Sequence, residues 1–109
     1  MDLVEQARQL APDVKKGYPA LYILRLASGA LYVGSTLNLP QRMADHVAGI
    51  ACKTTHDDRP QALPLVEPHP TYSAAREREA QIKHWSRAKK EALAGDDMES
   101  LRRLSKSRE

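Results

Sequence analysis

A carboxylate on the inward side of a helix is the first residue of this sequence that suggests chemistry. Apolar side chains recur at helical spacing between residues 74 and 93, where successive residues turn by about 100°. On this projection Glu79 lies on the same side as Ile82, whereas Glu77 points away. A carboxylate turned toward a core is costly unless it meets a cation, a proton or a metal ion. We therefore expect Glu79 to be either a metal ligand or the partner of a nearby base such as Lys83.

Two of the four tyrosines lie in matching positions on consecutive predicted strands. Residues 21–36 (LYILRLASGALYVGST) are rich in Leu, Ile, Val and Tyr around a Ser-Gly pair, which predicts a β-hairpin. Tyr22 belongs to the first strand and Tyr32 to the second. Cross-strand packing is the default role of such a pair. Their use in chemistry therefore depends on whether they share one face of the sheet.

The length of the hairpin turn decides which face each tyrosine occupies, because strand side chains alternate between faces. A two-residue turn would direct the two phenols to opposite faces. A three-residue turn over residues 27–29, with its glycine in the left-handed region, would pair Tyr22 with Gly34 and Leu24 with Tyr32. Glycine is favoured at the end of this longer turn, and Ser-Gly is a weak two-residue turn. We expect both phenols on one face, with open space beside Tyr22 at Gly34.

An arginine and a histidine are placed to reach the same region. An asparagine cap, a proline in the first turn and a capping-box glutamine predict a helix from about Leu39 to Ala48. Arg42 and His46 lie four residues apart along the edge of its apolar stripe, so they project together. The stripe consists of Leu39, Met43 and Val47. A guanidinium offers planar donors suited to phosphate, although an exposed helix edge would explain the pair equally well.

The remaining segments complete a mixture of helices and strands. We predict a short helix over residues 3–10, a loop over 49–62, an edge strand over 63–67 and a last short helix over 96–104 with a frayed end. The long helix begins at about Ala74, with Ser73 as its cap, and ends at about Leu93 before Gly95. A chain of 109 residues has room for one compact core. We predict an N-terminal helical extension (1–19), a main domain (20–94) and a C-terminal short helix and tail (95–109).

Charge and cysteine content limit the classes of protein. Basic residues exceed acidic ones by 17 to 14, and residues 76–90 contain six basic against two acidic side chains. Such a segment is either a patch for a polyanion or a solvated helix face. The single Cys52 excludes an internal disulfide, has no predicted role and favours a reducing, cytoplasmic setting. No apolar run approaches the ~18 residues of a membrane span, so we expect no membrane partner and no secretory leader.

The order of these motifs resembles the GIY-YIG nuclease superfamily, and more narrowly its small single-domain bacterial members. The resemblance covers roughly residues 20–93 and depends on the ordered elements Tyr22-Ile-Leu, Tyr32-Val-Gly, Asn38 to Arg42-x-x-x-His46, and Ser73 to Glu79-x-x-Ile-Lys83. The first motif has Leu21 and Tyr22 where the family name has Gly and Ile, so its tyrosine is part of Tyr22-Ile23-Leu24 and does not follow the literal spelling. This resemblance implies an α/β (α+β) fold, with a small, mostly antiparallel three-stranded sheet flanked by helices. It also implies hydrolysis of a phosphodiester in DNA, assisted by one divalent ion, Mg²⁺ or Mn²⁺.

The resemblance also implies a role for each matching residue. Tyr22 would take a proton from the attacking water or orient it, and Tyr32 would bond the phosphate or solvent. Arg42 would offset charge on the phosphate oxygens, and Glu79 would hold the metal ion. His46 matches a position that a supporting histidine often occupies. A phenol is a poor base at neutral pH, so Tyr22 would need a nearby cation such as Arg42 to stabilise its phenolate.

Four further residues are predicted to contact the substrate, and they are Gly34, Ser35, Lys83 and Arg87. One carboxylate at the metal would leave the ion largely hydrated until phosphate arrives. Two alternatives to a self-sufficient nuclease stay open. Many family members carry an asparagine beyond the metal glutamate, whereas this chain has none after Asn38, so a non-catalytic nucleic-acid-binding module is one alternative. The other is a domain that needs a protein partner for targeting, because a small module makes few phosphate contacts and binds weakly.

Overall fold

A computed structural model of the chain describes residues 1–95 and 97–106. Within this part the elements follow in the order α1 (Leu3–Leu10), β1 (Ala20–Leu26), β2 (Leu31–Thr36), α2 (Leu39–Ala48), α3 (Lys53–Asp57), β3 (Pro60–Pro68), α4 (Tyr72–Lys83), α5 (Arg87–Ala94) and α6 (Met98–Lys106). The strands form one sheet in the order β2-β1-β3, and both strand pairs are antiparallel. The predicted α+β class with a three-stranded sheet is confirmed. The predicted fraying of the last residues falls on 107–109, outside the described residues.

The hairpin has the three-residue turn that the sequence predicts. Gly29 has a φ of 93°, in the left-handed region, and the backbone N–H of Leu26 donates to the carbonyl of Ala30 at 2.9 Å. The resulting register pairs Tyr22 with Gly34 and Leu24 with Tyr32. The prediction that both phenols share one face is therefore confirmed, and their ring centroids lie 6.3 Å apart.

Helix α2 also begins and ends as its sequence predicts. The side chain of Asn38 accepts from the backbone N–H of Gln41 at 3.2 Å, and Gly49 ends the helix in the left-handed conformation with a φ of 79°. Its buried stripe differs by one residue from the predicted one. Val47 is 41% exposed, whereas His46 is fully buried together with Leu39 and Met43. Helical spacing allows either His46 or Val47 to face the core. His46 is the buried one because the Tyr22 hydroxyl on the sheet is a hydrogen-bond partner for its ring.

The segment between α2 and β3 is more ordered than predicted. Residues 49–62 were expected to form a loop, but they contain the short helix α3 and the start of a nine-residue strand β3. The strand begins at Pro60 and passes Pro64 on the edge of the sheet, where a missing N–H is tolerated. Its pairing with β1 shifts register around Arg25. The prolines therefore predicted the edge position of β3 correctly, but the predicted strand was too short.

The predicted long helix is two helices. Thr71, not Ser73, caps α4, because its hydroxyl accepts from the backbone N–H of Ala74 at 3.0 Å. The chain then leaves the helical path after Lys83, and Ser86 caps α5 by accepting from the backbone N–H of Lys89 at 3.2 Å. Serine hydroxyls compete with continued helix by capping a new one. The single helix over residues 74–93 was therefore a wrong prediction.

The alternation of side chains along β1 places a core on each face of the sheet. The first core contains Tyr22 and Leu24 with residues of α1 and α2, and the second contains Leu21 and Ile23 with Ile82 of α4 and residues of α5. Helix α1 belongs to the first core through Leu3 and Ala7. It therefore covers the sheet, while its separation from the main domain at residue 19 stays a prediction. Among the described residues, no helix is both long and apolar enough to cross a bilayer.

Candidate active site

A polar cleft of about 250 Å³ opens at the outer edge of β2. It is lined by Tyr22, Tyr32, Gly34, Ser35, Arg42, Tyr72, Arg76 and Glu79. Neighbouring strand residues point to opposite faces, and both Gly34 and Ser35 of β2 line the cleft. The cleft therefore straddles the edge strand, with α2 contributing from one face and α4 from the other. Sequence positions from 22 to 79 are brought together here, including six of the predicted site residues.

Gly34 is the residue that lets Tyr22 reach this edge. A Cβ at position 34 would lie 2.5 Å from the Tyr22 hydroxyl oxygen and 2.6 Å from the ring carbon that carries it. The phenol thus lies directly across the glycine, and the side chain is only 1% exposed. The sequence predicts open space at Gly34, next to Tyr22. In the structure the phenol of Tyr22 occupies this space, so any larger residue at position 34 would displace the Tyr22 hydroxyl.

A buried hydrogen-bond chain runs behind the Tyr22 hydroxyl. This hydroxyl is 3.0 Å from Nε2 of His46, and Nδ1 of His46 is 2.9 Å from Oγ1 of Thr55. His46 and Thr55 are both fully buried. Burial, together with the positive charge of Arg42, lowers the pKa of His46 to about 4. The imidazole is therefore neutral at pH 7, and it contacts Tyr22 from the protein side of the phenol.

The two strand tyrosines of the cleft, Tyr22 and Tyr32, are neutral phenols at pH 7. Burial and the nearby Tyr32 raise the pKa of Tyr22, and the opposing effect of Arg42 is smaller. Burial and a hydrogen bond with Cys52 raise the pKa of Tyr32 to about 12. Arg42 thus lowers the pKa of Tyr22, as predicted, but by less than burial raises it. The raised pKa favours a role for Tyr22 as a neutral phenol that orients water by hydrogen bonding, and it disfavours a role as a phenolate base.

Glu79 enters the cleft from α4 and is held at both oxygens. Ser35 donates its hydroxyl to Oε1 at 2.5 Å, and Nζ of Lys83 donates to Oε2 at 2.6 Å. Burial raises the pKa of this carboxyl, but the bonds from Lys83 and Ser35 outweigh it and lower the pKa overall. Glu79 is therefore ionised at pH 7. Glu79 therefore has the predicted basic partner, Lys83, and also lines the cleft, while its role as a metal ligand stays a prediction.

The residues of the cleft could hold a divalent ion only if that ion kept most of its water ligands. The described residues hold no cluster of three or more His, Cys, Asp or Glu side chains that could hold a metal ion. Mg²⁺ is commonly held by one or two carboxylates, with water and substrate phosphate completing its shell. Glu79 meets that minimum, because its oxygens retain lone pairs and its partner Lys83 is half exposed at the rim. The donor set therefore suits one ion that depends on substrate for most of its ligands.

Positive charge at the cleft comes from Arg42 and Arg76. Within the described part of the chain, Arg42 forms no ion pair with a carboxylate. Arg76 is exposed, and its guanidinium carbon lies 5.8 Å from the centroid of the Tyr72 ring. Unpaired guanidinium groups are suited to phosphate oxygens. The cleft therefore combines the Glu79 carboxylate with two guanidinium groups, that of Arg42 from α2 and that of Arg76 from the same helix as Glu79.

Arg87 lies outside this cleft. Its guanidinium donates to the carbonyl of Gly29 at 3.2 Å, at the far end of the hairpin, and approaches Glu91 at 3.8 Å. A contact between Arg87 and substrate stays a prediction, and it would require substrate to extend beyond the cleft. Lys83 is at the rim, where it pairs with Glu79.

Sequence reasoning missed four residues that belong to the site or support it: Tyr72, Arg76, Thr55 and Cys52. Arg76 precedes Glu79 by three residues, so helical spacing could have placed both on one face. Thr55 and Cys52 gave no such signal, because they lie in a segment with a loop composition. The Cys52 sulfur is 3.3 Å from Oγ1 of Thr55, so the residue without a predicted role contacts the hydrogen-bond chain.

Comparison with known proteins supplies independent information about this arrangement. Residues 18–92 match the family described as the GIY-YIG catalytic domain. A UPF0213 protein of Natronomonas pharaonis is 43% identical over 77 residues, which are 71% of this chain and 91% of that protein. A UPF0213 protein of Halobacterium salinarum is 38% identical over 73 residues, covering 67% of this chain and 95% of that protein.

A solved structure is also similar. The solution NMR structure of a UPF0213 protein from Bacillus halodurans is 33% identical to this chain, with a TM-score of 0.47. The match covers 70% of this chain and 81% of that one. The family match over residues 18–92 spans the sheet, α2 and α4, which are the elements that build the cleft.

Proposed function

The chain belongs to the GIY-YIG nuclease superfamily, and on that premise we propose that it is a metal-dependent endonuclease that hydrolyses phosphodiester bonds in DNA. The observation that carries the proposal is the convergence of Tyr22, Tyr32, Arg42 and Glu79 on one cleft at the edge of β2. Each of these residues matches a family motif, and together they provide a water-binding phenol, a cation for phosphate and an anion for a metal ion.

The charge distribution suggests how a phosphate would lie in the cleft. Phosphate oxygens would bind between the guanidinium groups of Arg42 and Arg76, which reach the cleft from α2 and α4. The Tyr22 hydroxyl, held from behind by His46, would hydrogen-bond a water molecule opposite the leaving oxygen. Tyr32 would bond the phosphate or a second water. Attack by the water oxygen on phosphorus forms one P–O bond and breaks the ester P–O bond in line with it, while the attacking water gives up one proton to solvent and the leaving oxygen takes one up from solvent.

Glu79 is the residue that would hold the divalent ion, Mg²⁺ or Mn²⁺. Such an ion supplies Lewis-acid stabilisation of negative charge on the phosphate when it is bound. Arg42 would contribute preorganised positive charge to the same oxygens, and one well-aimed donor of this kind is worth about 3 kcal/mol of the barrier. Ser35 keeps the Glu79 carboxylate turned toward the cleft.

A second candidate function is a nucleic-acid-binding module without turnover. The observation that favours it is the engagement of both Glu79 oxygens by Ser35 and Lys83, since an ion would have to share or displace these donors. Targeting by a protein partner and a cytoplasmic location are parts of the proposal that come from the sequence alone. Binding to DNA by this small domain would be weak and strongly dependent on salt.

The discriminating experiment is a cleavage assay on single-stranded, duplex and branched DNA with Mg²⁺ or Mn²⁺. We expect Tyr22→Phe to lower the cleavage rate by roughly 10²- to 10⁴-fold, the usual range for a group that assists proton transfer. Glu79→Gln should lose the dependence on metal ion together with most of the activity. Glu77→Gln is the matched control, because Glu77 is exposed on the same helix and should cleave like the wild type.

Two outcomes would contradict the assignment. Equal cleavage by the wild type, Tyr22→Phe and Glu79→Gln would show that these residues have no catalytic role. Absence of cleavage in every condition, with DNA binding retained and weakened by Arg42→Gln, would favour the binding module.

A further inference from the structure

The hydrogen-bond chain behind Tyr22 continues past His46 to a residue that no motif includes. Thr55 lies in the short helix α3 and is fully buried. Its hydroxyl oxygen is 2.9 Å from Nδ1 of His46 and 3.3 Å from the sulfur of Cys52. It is therefore the only group among the described residues that is hydrogen-bonded to the ring nitrogen of His46 facing away from Tyr22.

A neutral imidazole carries one proton on one of its two ring nitrogens. The partner of Nδ1 therefore influences the direction of every hydrogen bond in the series from Thr55 to Tyr22. If Nδ1 carries the proton, Nε2 has a lone pair and accepts the hydroxyl proton of Tyr22. If Nε2 carries it, Tyr22 is the acceptor and its own hydroxyl proton must point elsewhere. The distances alone allow both directions, and the group at the end of the chain decides between them.

The end of the chain is the Cys52 sulfur, which is a poor donor. A thiol is a weaker hydrogen-bond donor than a hydroxyl, so in the pair of Cys52 with Thr55 the hydroxyl is the donor. Thr55 has one hydroxyl proton, and giving it to Cys52 leaves its oxygen as the acceptor for Nδ1–H of His46. A phenol bonded to a ring nitrogen is also a better donor than acceptor, because the phenol is the stronger acid of the two.

We propose, on the premise of the endonuclease function above, that Thr55 is a positioning residue that holds His46 in its Nδ1–H tautomer. Nε2 then accepts the proton of the Tyr22 hydroxyl, and the lone pairs of the Tyr22 oxygen face the cleft. In that state Tyr22 can accept a hydrogen bond from the attacking water. In the opposite tautomer one lone pair would be used by His46, and the hydroxyl would present a proton to the water instead.

The direct test is the ¹⁵N NMR spectrum of the His46 ring in the wild-type protein at pH 7. We expect Nδ1 to have the chemical shift of a protonated ring nitrogen and Nε2 that of a nitrogen with a free lone pair. Thr55→Val removes the hydroxyl at nearly the same volume, leaves Nδ1 without a partner in either tautomer and should raise the population of the Nε2–H form. Thr55→Ser retains the hydroxyl and should keep the wild-type tautomer.

Cleavage kinetics provide the functional readout. Thr55→Val should lower kcat by roughly 10- to 100-fold, the range seen when a partner that orients a functional histidine is lost. KM should change little, since the residue lies behind the cleft, and Thr55→Ser should recover most of kcat. The amide NMR spectrum of each variant reports whether the fold is retained.

Three outcomes would overturn the proposal. They are an Nε2–H tautomer in the wild type, an unchanged tautomer in folded Thr55→Val, or an unchanged kcat in a variant whose tautomer has shifted. If the wild type cleaves no substrate, the endonuclease function fails, while the wild-type ring spectrum still decides the tautomer. If Thr55→Val does not fold, that same spectrum gives the answer.

Discussion

The face of the sheet that carries Tyr22 buries a series of polar side chains, whereas the opposite face, called the apolar face here, buries an apolar cluster together with Ser35, whose hydroxyl donates to Glu79. Behind Tyr22, a histidine and a threonine are fully buried and hydrogen-bonded in series. On the other face, Leu21, Ile23 and Ile82 pack without such a chain. Buried polar groups are costly unless every one has a partner. The comparison teaches that both faces supply apolar packing, while the face of Tyr22 also accepts the cost of a buried polar chain to hold a hydroxyl in place.

The same difference applies to two arginines. Arg25 projects from the apolar face and donates twice to Glu91, with both distances at 2.6 Å. Arg42 lies by the cleft and pairs with no carboxylate in the described part of the chain. A neutralised arginine can tie a hairpin to a helix, but only an unpaired one can offer its full charge to a phosphate.

Among the tests of this comparison, the largest expected effect comes from replacing each of these arginines in turn. Arg42→Gln should lower the cleavage rate by roughly 10²- to 10³-fold, which is about 2.7–4 kcal/mol of transition-state stabilisation. It should leave the free energy of unfolding nearly unchanged. Arg25→Gln is the matched control and should keep the cleavage rate while lowering stability by about 0.2–1 kcal/mol, since its ion pair is partly exposed. Cleavage assays and urea unfolding of both variants measure the two quantities.

If Arg25→Gln lowers cleavage as much as Arg42→Gln, the distinction between a structural and a functional arginine is wrong.

The second effect is a loss of stability in mild acid caused by His46. Its pKa falls from 6.5 to about 4 on folding, so below pH 6.5 the unfolded chain binds the proton that the folded chain excludes. Stability is therefore fully present above pH 6.5 and decreases as the pH falls toward 4, by up to about 3 kcal/mol. Urea unfolding between pH 7 and pH 4 measures this slope in the wild type and in His46→Gln.

The His46→Gln variant lacks the titrating ring and should show a shallower decrease over the same pH range. Carboxylates contribute equally to both proteins, so the difference between the two curves isolates the histidine. Parallel curves would mean that His46 is solvated and protonates in the folded protein.

The smallest effect belongs to the apolar face. Ile82→Val should lower the free energy of unfolding by about 0.5–1.5 kcal/mol, because it removes one buried methylene from a fully packed site. The cleavage rate of the folded protein should stay within twofold, roughly the factor that a few tenths of a kcal/mol correspond to. Ile50→Val is the control, since Ile50 is 73% exposed. A large loss of cleavage in folded Ile82→Val would show that the second core also positions Glu79.

Much of the cleft was predictable because its geometry follows from local rules. Gly29 sets the turn, the turn sets the register, and the register puts Tyr22 and Tyr32 on one face. The Asn38 cap starts α2 at the residue that places Arg42 beside them. These steps need only chain neighbours and the two-residue period of a strand, so the sequence determines them.

Other features depend on contacts between distant segments. Three such features are the break before Ser86, the burial of His46 in place of Val47 and the helix that carries Thr55. Each depends on contacts with residues elsewhere in the fold. A serine can continue a helix or cap a new one, and a composition typical of loops can still form one helical turn. Local energies for such alternatives are nearly equal, so packing selects between them.

The sequence by itself determined the family, the hairpin register and the residues that could meet a phosphate. Only the tertiary structure decided that Tyr22 would lie across Gly34, that its hydroxyl would be held through His46 by Thr55, and that Arg42 would stay unpaired while Arg25 did not. The physical reason is that a hydrogen bond or an ion pair between remote residues depends on position in space. Spacing along the chain shows which residues can share a face, but burial and the partner each one meets there fix its protonation and its charge.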